Sequence, residues 1–181
     1  HKGKILLYAL LLGVALVSFA AYQILTQRKL AAAADMLTQA SNEEDYRRII
    51  QKFPRTTAAA DAQLLLAAQL RAEKKYDESN AILKSLLDQT PDHPLASGAL
   101  LSMAANYEAQ GKTSEAIEAY QQISSRFAGS YSAPVAAINR ADLLKASGKA
   151  EEAKRAYENV LTQFPQSLVA RDASRELKNL K

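Results

Sequence analysis

Apolar residues recur along most of this chain with the spacing of a helix face. In Gly148–Pro165, GKAEEAKRAYENVLTQFP, the positions Ala153, Ala156, Tyr157, Val160, Leu161 and Phe164 follow the i, i+3, i+4, i+7 rule, and charged residues fill the other side. Gly148 ends the helix before it, because glycine takes the left-handed C-cap conformation without steric cost. Pro165 stops the helix by removing a donor and by biasing Phe164 away from helical angles. Earlier copies run Gly111–Ala128, GKTSEAIEAYQQISSRFA, and Lys74–Pro91, KKYDESNAILKSLLDQTP, and a fragment closes at Phe53-Pro54. The copies end at Phe53, Thr90, Phe127 and Phe164, and the steps 90−53, 127−90 and 164−127 are all 37 residues.

The register holds inside the copies. Ser79, Ala116 and Ala153 keep one position small, Leu83, Tyr120 and Tyr157 keep the next turn large, and Leu86, Ile123 and Val160 follow. A small position beside a large one lets two helices approach closely and fills the gap next to the contact. The intervening residues make a second helix on the same beat. Ala59, Ala96, Ala133 and Ala170 are equivalent, as are Ala62, Ala99, Ala136 and Ala173, and Leu70, Tyr107 and Leu144. Each unit is therefore helix, short turn, helix. Neither helix buries its face alone, so the units must stack.

The first 54 residues read differently. Ile5–Leu25, ILLYALLLGVALVSFAAYQIL, holds 21 residues without a formal charge. As a helix it spans about 31 Å at ~1.5 Å per residue, close to the ~30 Å hydrocarbon core of a bilayer. Lys2 and Lys4 flank one end, Arg28 and Lys29 the other, and Tyr8 and Tyr22 sit where aromatic belts belong. The segment reads as a single membrane-spanning helix that contacts the lipid bilayer through residues 5–25. The rival is a cleaved signal peptide, with Ser18-Phe19-Ala20 at the cleavage site. Two basic residues on each side leave the orientation undecided. Arg28–Ala40 continues the helix, and Ser41-Asn42-Glu43-Glu44 fits a capping box, serine at the cap and glutamate three on. It opens a helix carrying Tyr46, Ile49, Ile50 and Phe53. The organisation expected is a basic flank over 1–4, a membrane helix over 5–25, and a juxtamembrane helix with a degenerate first repeat over 26–54. Three repeats over 55–91, 92–128 and 129–165 follow, then a capping helix over 166–181 with Leu168, Val169, Ala173 and Leu177 on one side. Since the chain begins at His1 and not Met, further N-terminal sequence is expected.

Composition narrows the chemistry. Without cysteine there are no disulfides, thiolate metal sites or cysteine nucleophiles in these residues. A net charge of +4, with bases interleaved among acids as in Glu151-Glu152-Ala153-Lys154-Arg155, lacks the dense basic stripe of a nucleic-acid groove. The histidines are His1 and His93, and His93 between Asp92 and Pro94 reads as a helix-capping or exposed residue. No phosphate loop, nucleophile set, cofactor site or metal site can be assembled, so no enzyme is expected. Tyr46, Tyr120 and Tyr157 occupy equivalent core positions, which packing explains.

Ala104, Tyr107, Gly111, Ala116, Tyr120 and Ile123, and again Ala141, Leu144, Gly148, Ala153, Tyr157, Val160 and Pro165, resemble the tetratricopeptide repeat (TPR) family. The extra residues of the 37-residue unit follow the proline, a variant similar to that of bacterial envelope TPR proteins. The resemblance implies an all-α, TPR-like solenoid of helix-turn-helix repeats behind one N-terminal membrane helix. It also implies that the first helix of each unit lines a protein-binding groove. Carried over, that face holds Asp61, Leu64 and Arg71, then Leu101 and Glu108, then Ile138, Asp142 and Lys145. Leu64, Leu101 and Ile138 form an apolar line and Arg71, Glu108 and Lys145 a mixed-charge line. The family's carboxylate clamps put lysine and asparagine at positions that are apolar here, so a partner helix or nonpolar peptide fits better.

The combination of one membrane helix with repeats resembles the YfgM type of ancillary translocon subunit. It implies a single-pass inner-membrane scaffold, repeats facing the periplasm, with the secretion translocon or a periplasmic chaperone as partner. Tyr157–Lys181 is also similar to the last repeat of BamD- and CpoB-type proteins. That alternative implies a role in outer-membrane assembly or in cell-wall and division coordination, with a cleaved signal peptide.

Overall fold

The computed structural model describes residues 2–180. His1, Lys181 and the side chains of residues 2 and 4–9, hence Lys2, Lys4 and Tyr8, lie outside the described residues. Within the described residues every regular element is a helix. They are α1 (Lys2–Gln39), α2 (Glu43–Lys52), α3 (Thr57–Ala72), α4 (Tyr76–Gln89), α5 (Ala96–Ala109), α6 (Thr113–Arg126), α7 (Ser132–Ala146), α8 (Ala150–Gln163) and α9 (Val169–Asn179). The chain divides into two compact units, one ending at Leu65 and one beginning at Leu66, so that α3 contributes to both.

In the first unit α1 runs without a break for 38 residues. From Leu10 on its apolar part is bare: Val17 is 71% exposed and Leu25 65%. The C-terminal part is not. Ala33, Ile49, Phe53, Ala58 and Ala62 form a buried cluster, with Met36, Leu37, Ala40, Tyr46 and Ile50 packed around it. A helix as short as α2 has little stability in isolation. Burying Ile49 and Phe53 contributes about 1.5–3 kcal/mol each, and this burial holds α2 in place.

The cap of α2 departs from the sequence reading. Asn42, not Ser41, is the N-cap: it is extended (φ −143°), and its Oδ1 accepts from the Asp45 N–H at 3.0 Å. Asp45 Oδ2 reaches back to the Ser41 N–H at 3.2 Å and to Asn42 Nδ2 at 2.8 Å. A variant of the box forms one residue later, built from Asn and Asp, with Asp45 reaching past the cap to the Ser41 N–H. It leaves Glu43 and Glu44 free to pair with Arg47 and Arg48 one turn on, each at 2.7 Å.

In the second unit consecutive helices pack on one another from α4 to α9, and α5, α7 and α9 also lie side by side, forming one layer. Alanines make the close approach possible: Ala99, Ala136 and Ala173 are fully buried. Tyr120, Ile123, Tyr157 and Val160 fill the space beside them, also fully buried. The turns repeat atom by atom. Gly111 (φ 71°) and Gly148 (φ 74°) take the left-handed conformation, and the following N–H groups of Lys112 and Lys149 return to Tyr107 O and Leu144 O at 2.9 and 3.0 Å. That is the Schellman closure, which satisfies a terminal carbonyl. In the first copy Lys74 (φ 61°) holds the glycine's place and Lys75 N–H meets Leu70 O at 2.8 Å. The other helix ends follow one rule too: Thr90, Phe127 and Phe164 each donate N–H to the carbonyl four residues back, at 2.9 Å.

Two details differ from expectation. Leu168 does not join the packed side of α9: it precedes the helix and is 80% exposed, while Val169 and Leu177 pack against the core and Ala173 is part of it. The α4–α5 contact is polar inside. Asn106, fully buried, donates its Nδ2 to Ser79 Oγ (2.9 Å) and Asn80 Oδ1 (2.8 Å), and Ser79 Oγ donates to Ala67 O (2.8 Å). Asn106 Oδ1 and Asn80 Nδ2 are buried without a partner among the described residues.

Candidate functional site

The face formed by α5, α7 and α9 carries Glu108, Asp142 and Lys145, and tyrosines from behind it determine its chemistry. Tyr120 of α6 is fully buried along its ring, yet its hydroxyl emerges at this layer and donates to Glu108 Oε2 of α5. Asn139 of α7 donates Nδ2 to the same hydroxyl at 3.3 Å. One unit on, the Tyr157 hydroxyl donates to Asp142 Oδ1 at 2.6 Å. A buried phenol needs a partner for its hydroxyl, and each tyrosine finds a carboxylate on the neighbouring odd-numbered helix. Burial, then the carboxylate that accepts the proton, push both phenols above their ordinary range. The Arg71 charge acts on the Tyr120 hydroxyl in the opposite sense.

Lys145 does not stand free: its Nζ lies 2.5 Å from Glu176 Oε2 of α9. Arg175 meets the other oxygen of Glu176 at 3.5 Å and Asp172 at 2.8 Å. The hydrogen bond from Lys145 is the main cause holding the Glu176 carboxyl below its usual range. Glu108, Asp142 and Lys145 are thus tied into contacts that cross from helix to helix. Arg71 is exposed.

The apolar line fares differently. Leu101 is half-buried, but Ile138 is only 7% exposed and belongs to the core of α7, α8 and α9, so it offers no side chain to a partner. The neighbouring helices cover it. Asp61 and Leu64, in the first unit's part of α3, are half-buried. Beyond α1 and Leu65 of α3, exposed apolar side chains stand at the starts of α7 and α9, where Tyr131 (69%), Val135 and Leu168 face solvent. Tyr131 and Leu168 are one repeat apart (168−131 = 37). The Tyr131 hydroxyl lies over Gly98 of α5, 2.8 Å from where a Cβ would stand.

Sequence reasoning missed Asn139, Glu176 and the hydroxyl ends of Tyr120 and Tyr157. The available signal was the phenol itself: two core tyrosines in register, each needing a polar partner within reach. His93 sits in the turn before α5, its Nδ1 accepting the Leu95 N–H at 3.2 Å. Among the described residues no group of histidine, aspartate and glutamate could hold a metal ion.

A family model described as a tetratricopeptide repeat-like domain matches residues 2–180. No curated protein matches the chain. Among solved structures, the first TPR of Spaghetti (RPAP3) bound to the HSP90 peptide SRMEEVD is similar, with 24% identity, 67% of this chain and 89% of that chain covered, and a TM-score of 0.52. A tetratricopeptide repeat protein from Parabacteroides merdae superposes with a TM-score of 0.62 at 18% identity, covering 85% of this chain and 59% of that one. BtubC (BKLC) from P. vanneervenii gives 0.59 at 22% identity, covering 85% and 65%. At these identities the likeness is one of fold.

Proposed function

The chain belongs to the tetratricopeptide repeat-like family, and on that premise we propose that it is a membrane-anchored scaffold that brings other proteins to a bilayer. Repeats of this kind are generally binding scaffolds, and no catalytic family is indicated. The observation that carries the proposal is α1. The stretch Leu10–Gln39 is long and apolar enough to cross a membrane, and its most apolar window is entirely unburied. Among the described residues the large apolar side chains from Leu10 to Leu25 are bare, which would be a large liability for a soluble protein. A bilayer removes it. The same helix then joins the α2 core through Ala33 without a hinge.

In this reading residues 5–25 cross the membrane, 26–54 form the juxtamembrane helix and a degenerate repeat, 55–165 hold three repeats, and 166–181 cap them. Partners dock on the odd-helix face of the second unit, where Leu101, Arg71, Glu108, Asp142 and Lys145 set the chemistry. Tyr131, Val135 and Leu168 supply exposed apolar area of the kind that marks protein contacts. Leu101→Asp tests that face without opening the core; Ile138→Asp would put a charge into the core and unfold it. The bacterial envelope supplies the setting that the 37-residue unit suggests: a single-pass inner-membrane protein, repeats in the periplasm, serving the secretion translocon or a periplasmic chaperone.

Extraction of native membranes with alkaline carbonate, combined with the intact mass, tests the anchor. A chain that keeps residues 5–25 and resists extraction supports it. A soluble chain starting near Ala21 refutes it and favours a cleaved leader, with a role in outer-membrane assembly or cell-wall coordination.

A further inference from the structure

We propose that the first unit holds a binding site for the phosphate of an anionic glycerophospholipid, in a cleft between α1 and the α2–α3 turn. The proposal rests on the reading of α1 as a membrane span. The cleft has a volume of about 450 Å³ and is lined by Tyr22, Leu25, Thr26, Lys29, Arg55 and Thr56, among others. That size lies within the range of small-ligand sites.

Its composition is graded along α1. Tyr22 and Leu25 form the apolar end, continuous with the bare face of the span. Lys29 follows one turn further along α1, and Arg55 lines the cleft from the α2–α3 turn. No acidic side chain lines the cleft, and neither cation has an ion-pair or hydrogen-bond partner among the described residues. Lys29 stands four residues past Leu25, about 6 Å along the helix axis at ~1.5 Å per residue. The headgroup layer on one side of a bilayer is about 5–8 Å thick. Lys29 therefore lies at the depth of the lipid phosphates when Leu25 marks the end of the hydrocarbon, and Arg55 lines the same cleft from the α2–α3 turn.

The turn fixes Arg55. Phe53 caps α2, and Thr56 Oγ1 donates to Phe53 O at 2.8 Å and accepts the Ala59 N–H at 3.2 Å at the start of α3. Between them Arg55 is held at φ 61°, a conformation that costs a non-glycine residue free energy. The start of α3, a 16-residue helix, opens onto the same cleft through Thr56, and its free N–H groups add partial positive charge. A zwitterionic headgroup brings its own cation, which offsets the attraction of its phosphate to this site. A singly anionic headgroup brings none. The acyl chains would run along Leu25 and Tyr22 into the hydrocarbon.

The test uses the full chain in nanodiscs of mixed phosphatidylcholine and phosphatidylglycerol. Lipid retained after transfer to detergent is counted by native mass spectrometry. The wild type is expected to keep one phosphatidylglycerol in preference to phosphatidylcholine. Lys29→Glu/Arg55→Glu should lower that preference about 25-fold, fivefold for each cation. A double reversal at Lys154 and Arg155, equal in net charge and placed on α8, should leave it unchanged. Equal retention in Lys29→Glu/Arg55→Glu, or equal loss in the α8 control, overturns the site while the anchor stands. Displacement of the lipid by millimolar glycerol phosphate would also overturn it, because the site would then read a free phosphate. A chain that fails to enter the discs removes the anchor and the site together.

Discussion

Asn106 offers the sharpest check on how this stack is held together. It is fully buried at the α4–α5 contact, and two of the side-chain atoms around it have no partner. Asn106→Ala removes two hydrogen bonds worth about 1 kcal/mol each and strands Asn80 Oδ1 at a further cost of about 1–3 kcal/mol. Deleting the orphaned Asn106 Oδ1 returns about 1 kcal/mol, so the variant should be less stable by about 2–4 kcal/mol. The chain itself shows an apolar solution, because the equivalent positions one repeat on (79, 80 and 106, each plus 37) are Ala116, Ile117 and Leu143. Ser79→Ala/Asn80→Ile/Asn106→Leu removes every side-chain polar group of the cluster and buries two aliphatic side chains worth about 1.5–3 kcal/mol each. Those gains offset the lost hydrogen bonds, and the triple variant should equal the wild type or exceed it by up to about 2 kcal/mol. Urea unfolding of the full chain in a mild nonionic detergent, followed by far-ultraviolet circular dichroism, measures both. An unchanged slope with a shifted midpoint identifies a pure stability effect. A neutral Asn106→Ala, or a triple variant less stable than the single one, would refute the account of the cluster.

The other predictions use the same assay. Gly111→Ala forces an L side chain to φ 71° and should cost about 1–2 kcal/mol, whereas Gly98→Ala meets only the movable end of the exposed Tyr131 and should cost little or gain up to about 1 kcal/mol in helix propensity; equal effects at both glycines would contradict the turn geometry. Tyr120→Phe should cost about 1 kcal/mol through the lost Glu108 contact. Because the folded phenols titrate above their unfolded value of about 10, their contribution is complete below that pH and is lost as pH rises through the folded value. The wild-type midpoint should fall between about pH 10 and 12 more steeply than that of Tyr120→Phe/Tyr157→Phe, and parallel curves would count against the phenol–carboxylate pairs. Glu176, depressed chiefly by the Lys145 hydrogen bond, contributes above its unfolded pKa and loses that contribution as pH falls through the folded value. Glu176→Gln should therefore flatten the acid limb below about pH 5, and an unaltered limb would show the α7–α9 pair to be idle.

How much is legible follows from how local each signal is. The glycine stops at 111 and 148 and the stop before Pro165 are readable, because a left-handed C-cap and a missing N–H act within a few residues. The cap of α2 falls one residue later than read: Ser41 and Asn42 both suit a cap, and the reciprocal bonds of Asp45 decide in favour of Asn42. Ile138 reads as a groove residue because the repeat register gives the face of a helix but not how far the next helix wraps over it. Leu168 reads as buried on a helical wheel, but α9 begins after it.

The order of residues alone dictates the paired helices, their 37-residue beat, the alanine contacts and the bare apolar helix at the start. Each comes from periodic burial and turn chemistry that neighbours along the chain impose on one another. What the odd-helix face presents is settled only when the helices pack. Tyr120 meets Glu108 across 12 residues, Tyr157 meets Asp142 across 15, and Lys145 meets Glu176 across 31. Packing likewise makes a cationic cleft of Lys29 and Arg55, 26 residues apart (55−29), by folding the α2–α3 turn back against α1. Such pairings depend on where a separate helix comes to rest, and a helix period carries no information about that.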